Sequence, residues 1–210
     1  MKILNSLILI IVCSVGYAYP TVKVDTLIDF TKADSAALKT ELQLLDKILQ
    51  NERFWEGIKN FEFHCTNWRR LHHYRKRNAL YPKQKKDKHN YSNEEIYNLL
   101  WTGDDEIGSP KDSVINLKLQ AKDYEQNKKG RTRHGGLDKN TLVISSNRKT
   151  RIHSGNPGEY ACHLLHEYMH VLGFKHRKGR PSRTKKKCGG TDVALGVQLI
   201  AKDVLKKVLN

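Results

Sequence analysis

The chain has 210 residues, a formal net charge of +16 and an isoelectric point near 9.7. That length suits one domain, with at most a small extension, and 38% hydrophobic residues suffice for a single core. Its one long apolar run is N-terminal, which excludes a protein that crosses a membrane several times.

Lys2 precedes that run, Ile3 to Val15, which is broken only by Asn5, Ser6 and Ser14 and ends in Gly16-Tyr17-Ala18. A charged start, a short hydrophobic stretch and small residues before a cut describe a secretory signal peptide over 1–18, cleaved after Ala18. The run is too short to span a bilayer comfortably, so the mature chain is expected to be secreted or periplasmic, without a transmembrane anchor. Val12 is a poor fit to a lipid-attachment box at Cys13. Residues 19–60 then form an N-terminal segment, which the sequence leaves open as a removable pro-segment. Residues 61–210 form the main domain.

Residues 21–31 carry no decisive pattern. Asp34-Ser35 opens a helix over 35–50, with Leu38, Leu42, Leu45 and Leu49 stepping by four and three. From Asn60 to Thr66, Phe61 and Phe63 alternate with Glu62 and His64, which predicts a strand. Ser92 with Glu95 is a capping box opening a helix through Trp101, closed by Gly103. Ser113 to Leu119 sets Ile115, Leu117 and Leu119 against Val114, Asn116 and Lys118, a half-buried strand. Thr141 to Ser145 predicts a shorter one. Loop residues fill 146–158, Glu159 leads into another helix, and the last helix, 192–209, lines up Val193, Val197, Ile200, Val204 and Val208. Interspersed helices and strands predict an α+β or α/β fold: an upper layer ending in the 159 helix and a smaller lower layer closing a cleft.

Residues 166–176 read HEYMHVLGFKH. His166 and His170 lie four apart, hence on one helical face, and Glu167 sits about 100° round the helix. Gly173 can end the helix with positive φ and turn the chain so that His176 returns as a third imidazole. Three histidines leaving a fourth place open is the ligand pattern of catalytic zinc, with Glu167 as the adjacent base. Gathering them beside Leu164, Leu165, Val171, Leu172 and Phe174 without a metal would be costly. Cys65, Cys162 and Cys188 survive processing, which predicts one disulfide plus a free thiol, or an unusual pairing. Cys162 falls one turn before His166, where a disulfide or a buried thiol ranks above a fourth ligand.

The eleven residues resemble the long zinc signature HExxHxxGxxH of the metzincin metallopeptidases, with every fixed position present. The resemblance implies a twisted, mostly parallel sheet, an active-site helix and a small C-terminal subdomain ending in a helix. It also implies His166, His170 and His176 as ligands of one catalytic Zn2+ and Glu167 as general base. The chain departs from the family in one respect. Its only methionines are Met1 and Met169, and no tyrosine follows Tyr168, so the methionine-containing turn expected under the metal lacks its methionine. The segment 188–196 would occupy that turn, which marks a divergent branch.

The basic charge sits in two blocks. Residues 67–89 hold nine Lys or Arg against one acid, interleaved with Trp68, His72, His73, Tyr74 and Tyr81. Residues 175–187 hold eight and no acid: Lys175, Arg177, Lys178, Arg180, Arg183, Lys185, Lys186 and Lys187. These are solvated loops or a rim for an anionic partner, such as an envelope polymer, lipid head groups or an acidic protein. Nucleic acid ranks last for an exported chain with no recognition fold. The expected function is a zinc metalloendopeptidase acting on protein or peptide substrate, which would lie extended along a sheet edge from 113–119 or 131–145. The alternatives are a zinc amidase acting on cell-wall peptides and an exported anion-binding protein with a non-catalytic zinc site.

Overall fold

The computed structural model describes residues 19–64, 66, 90–109, 111–125, 132–176 and 191–209. The expected signal peptide, the block 67–89, Cys65, Cys188 and the basic run 177–187 lie outside the described residues. The elements are β1 (Thr21–Ile28), α1 (Lys32–Leu49), α2 (Glu52–Asn60), α3 (Asn93–Trp101), β2 (Val114–Lys122), β3 (Gly135–Asp138) and β4 (Val143–Asn147). A π-turn (Arg148–Ile152), α4 (Glu159–Val171) and α5 (Val193–Leu209) complete the set. The sheet order is β1-β2-β4-β3, with β1, β2 and β4 parallel and β3 antiparallel to β4. The fold is therefore mixed α/β around a four-stranded, mostly parallel open sheet.

Local chemistry accounts for most boundaries. Thr31 and Asp34 form a reciprocal capping box that starts α1 at Lys32, and Leu38, Leu42, Leu45 and Leu49 are all buried. Ser92 and Glu95 do the same for α3. In β2, Ile115, Leu117, Leu119 and Ala121 face the core. Asn116 points to the other side yet is buried, because its amide and side chain both reach the Asp105 carboxylate. β1, undecided from sequence, pairs with β2 along the edge of the sheet.

Four expectations need correction. Phe61 to His64 form no strand: α2 runs to Asn60, and Phe61 and Phe63 instead pack on each other, 4.9 Å apart, and against Gly196 of α5. Their alternation serves a helix contact. β4 starts two residues late because Leu142, with φ of 57°, closes the turn from β3 in a left-handed conformation. β2 lies between β1 and β4, so the 113–119 strand cannot offer a free edge; β3, in the 131–145 region, is an edge. Finally, α5 packs on α4, α1 and α2, within the principal core and not in a separate lower layer. Val193, Val197, Ile200 and Val204 are buried there, while Val208 is 36% exposed near the end of the helix. No helix among the described residues is long and apolar enough to cross a membrane.

Candidate metal centre

The centre is built on α4. The helix opens after Gly158, whose φ is +77° and whose place leaves no room for a Cβ, which would stand 2.3 Å from Leu205 Cδ1. No local side chain caps it. Glu41 of α1 does so from across the core: its carboxylate accepts from Gly158 N–H at 3.1 Å and Ala161 N–H at 2.8 Å. Glu159, in the first turn, suits the positive end of the helix dipole and is paired by Arg151 and Lys202. Burial of Cys162, Leu164, Leu165, Tyr168, Met169 and Val171 fixes the helix rotation, so His166 and His170 come up together at its partly exposed edge. The Tyr168 hydroxyl locks that rotation by donating to buried Asp105 at 2.7 Å.

The helix ends in a Schellman arrangement. Gly173, at φ of +96°, donates its N–H to His170 O, and the Phe174 N–H reaches back to Met169 O, each at 3.0 Å. Phe174 then buries against the edge of the Tyr91 ring, and the chain doubles back to His176.

Three imidazoles converge. His176 Nε2 lies 3.1 Å from both His166 Nε2 and His170 Nε2, and the three candidate ligand atoms all lie within 4.8 Å of one another. Tetrahedral zinc with bonds of about 2.0–2.1 Å calls for nitrogens about 3.3 Å apart, so the set fits a single small ion. The far ring nitrogens support the same orientation. His170 Nδ1 donates to Phe174 O at 2.6 Å and His176 Nδ1 to Asp192 Oδ2 at 2.8 Å, which turns both Nε2 lone pairs toward the cluster centre. Burial and mutual repulsion hold His166 and His170 neutral, with pKa values near 3 and 4. His176 shifts upward through its bond to Asp192, and Asp192 shifts downward because the bonds from His176 and Leu195 outweigh its burial.

Glu167 stands beside them, 6% exposed, and its Oε2 has no hydrogen-bond partner among the described residues. Burial raises its pKa to about 7, against the pull of His176, Arg151 and Arg133. Beneath it, buried His163 brings Nδ1 to 3.9 Å from Glu167 Oε1, too far for a direct bond. Without an ion, the site thus presents two neutral imidazoles, a third shifted toward its protonated form by Asp192, and a carboxyl poised near neutrality.

The structure brings His166, Glu167, His170, Gly173 and His176 together as the motif implies. Lys175 lies beside them, half-buried; the rest of the proposed basic rim falls outside the described residues. Cys162 is a fully buried free thiol in the core, its pKa pushed up to about 12 by burial, and it joins no ligand group. The segment expected to form a turn under the metal is already helical from Val193, and Asp192, just before it, is what reaches the site. Sequence reasoning missed Asp192, Glu41 and Asp105. Only Asp192 left a local trace, as an acid directly before an apolar helical pattern. Compared with protein families, curated proteins and solved structures, the chain matches none.

Proposed function

We propose that the protein is an exported zinc metallopeptidase of metzincin type, with His166, His170 and His176 holding the ion and Glu167 serving as general base. The observation that carries this reading is the convergence of three Nε2 atoms beside a buried carboxyl whose Oε2 has no partner among the described residues. Three imidazoles at this spacing, two of them held neutral, serve a cation. A carboxyl at its side serves proton transfer, which a purely structural site does not need.

Bound zinc would supply Lewis acidity toward a carbonyl and toward water. The rest falls to the chain. Glu167 accepts a proton from the attacking water and returns it to the leaving amine. Burial raises the carboxyl's pKa in the metal-free chain, which opposes the pull of a bound cation and helps keep it basic enough for both transfers. β3 forms an edge of the sheet and packs against α4, so an extended peptide is proposed to pair with its main chain beside the histidines.

The test uses the chain from Tyr19, assayed for metal content and for casein or gelatin cleavage with and without a chelator. One zinc per chain and chelator-sensitive cleavage are expected. Glu167→Gln should keep the zinc and lose about 10²–10⁴-fold in rate. A Gln variant as fast as wild type would remove the general-base role, and a chain that takes up no zinc would sink the reading. Zinc binding without protein cleavage would favour an amidase acting on cell-wall peptides.

A further inference from the structure

The three ligands are not held alike. His166 and His170 ride on a packed helix, whereas His176 lies beyond its end, with 49% of its side chain exposed. His170 is steered by a backbone carbonyl of its own turn, and His166 Nδ1 is buried with no partner among the described residues. His176 is steered by a carboxylate, and that group comes from sixteen residues downstream.

Asp192 divides its two oxygens. Oδ1 accepts from the Leu195 N–H at 3.0 Å while the Asp192 carbonyl takes the Gly196 N–H, the arrangement of an N-cap for α5. Oδ2 takes the His176 Nδ1 proton. One carboxylate therefore starts the last helix and aims the third imidazole.

Building on the metal reading above, we infer that Asp192 is the positioning residue of the metal centre. It fixes His176 as the Nδ1–H tautomer, sets the ring angle and increases the ligand's basicity by hydrogen-bonding its far nitrogen. Because the same group caps α5, His176 is placed by the packed helix pair α4 and α5 and not by its own short, exposed stretch.

The cap and the imidazole bond separate by substitution. Asp192→Ser keeps a good N-cap but is too short and uncharged to hold the ring; Asp192→Ala removes both. Zinc affinity of each mature variant is measured by competition with a chromophoric chelator, and metal-free melting is followed in parallel. Asp192→Ser should melt close to wild type while binding zinc about 10–100-fold more weakly, and Asp192→Ala should lose on both counts. In the metal-free protein at pH 8, ¹⁵N spectra of labelled histidine should show His176 protonated at Nδ1 in wild type, a bias that Asp192→Ser loses. Equal zinc affinity in Asp192→Ser and wild type overturns the inference, as does a wild-type His176 without the Nδ1 proton. If wild type takes up no zinc while the tautomer bias is present and lost on substitution, the metal reading fails and Asp192 is left as an orienting group for His176 alone.

Discussion

Glu41 holds α4, the helix of the histidine cluster, from outside, and its removal has a calculable effect. It is 9% exposed on α1, and its two oxygens accept from the Gly158 and Ala161 amides, both at the N-terminus of α4. Gly158 has no side chain to substitute for it, and the helix has no cap of its own. Glu41→Ala would strand two buried N–H groups at about 1–3 kcal/mol each and forfeit roughly 0.3–1 kcal/mol of charge–dipole attraction. A loss of roughly 2–7 kcal/mol is thus expected, a large share of the roughly 5–15 kcal/mol typical of a domain. Glu41→Gln, which keeps one acceptor, should lose about half as much. Urea unfolding of the metal-free mature chain at pH 7.5 measures both, with Lys39→Ala, on the exposed face of α1, as control. If Glu41→Ala unfolds within 0.5 kcal/mol of the control, about the spread of ordinary surface substitutions, the cap across the core is energetically idle and this reasoning fails.

Two further outcomes follow from burial. In the metal-free protein His166 and His170 stay neutral down to about pH 3 and 4, whereas in the unfolded chain they protonate near 6.5, so stability falls as pH drops below 6.5. Glu167 opposes this between 4.5 and 7, where the fold keeps a proton that the unfolded chain has lost. His163, buried and likewise held well below its ordinary value, adds a third, so the net slope between 4.5 and 6.5 should be about two protons, roughly 2.7 kcal/mol per pH unit, steepening toward three in Glu167→Gln; urea midpoints that stay flat across this range would contradict the assignments. The Cys162 thiol, fully buried and raised to about pKa 12, should resist alkylation until the chain unfolds, as mass spectrometry after iodoacetamide treatment would show; rapid labelling of the native protein would place it elsewhere.

The histidine cluster was legible because its chemistry is local. His166 and His170 are related by one helical turn, and Gly173 turns the chain within three residues, so spacing alone predicts that His176 returns. α3 was legible for the same reason, announced by a capping box within four residues, whereas α1 was legible from its leucine spacing and starts three residues earlier than expected, at Lys32, because the Thr31–Asp34 box opens it. What escaped the sequence depends on distance. Glu41 reaches across more than a hundred residues and Asp105 across sixty-three to secure the same helix, and no periodicity encodes such reach. α2 escaped for a different reason: the Phe61/Phe63 alternation drew attention away from Phe54, Trp55 and Ile58, whose spacing suits a short helix capped by Asn51. The strand expected at 60–66 failed because period-two alternation records only that two side chains share one direction. Here that direction leads to Gly196 of a helix.

The same distant contacts bear on whether the fold needs the metal. Glu41 fixes the start of α4, Asp105 its rotation through Tyr168, the Schellman turn its end, and Asp192 the third histidine; none of these involves an ion. A site so supported is preorganised, unlike small metal-nucleated domains that are unfolded without zinc. The chelated protein should therefore keep its far-UV circular dichroism and a cooperative melt. Added zinc should raise stability only by mass action, about 2.7 kcal/mol at a hundred times the dissociation constant. The gain should shrink in Asp192→Ser at the same zinc concentration, because weaker binding lowers the saturation term and leaves the packed core untouched. A chelated chain that lost its helical signal would show instead that the ion organises α4, and that the four acid and turn contacts form only after it binds.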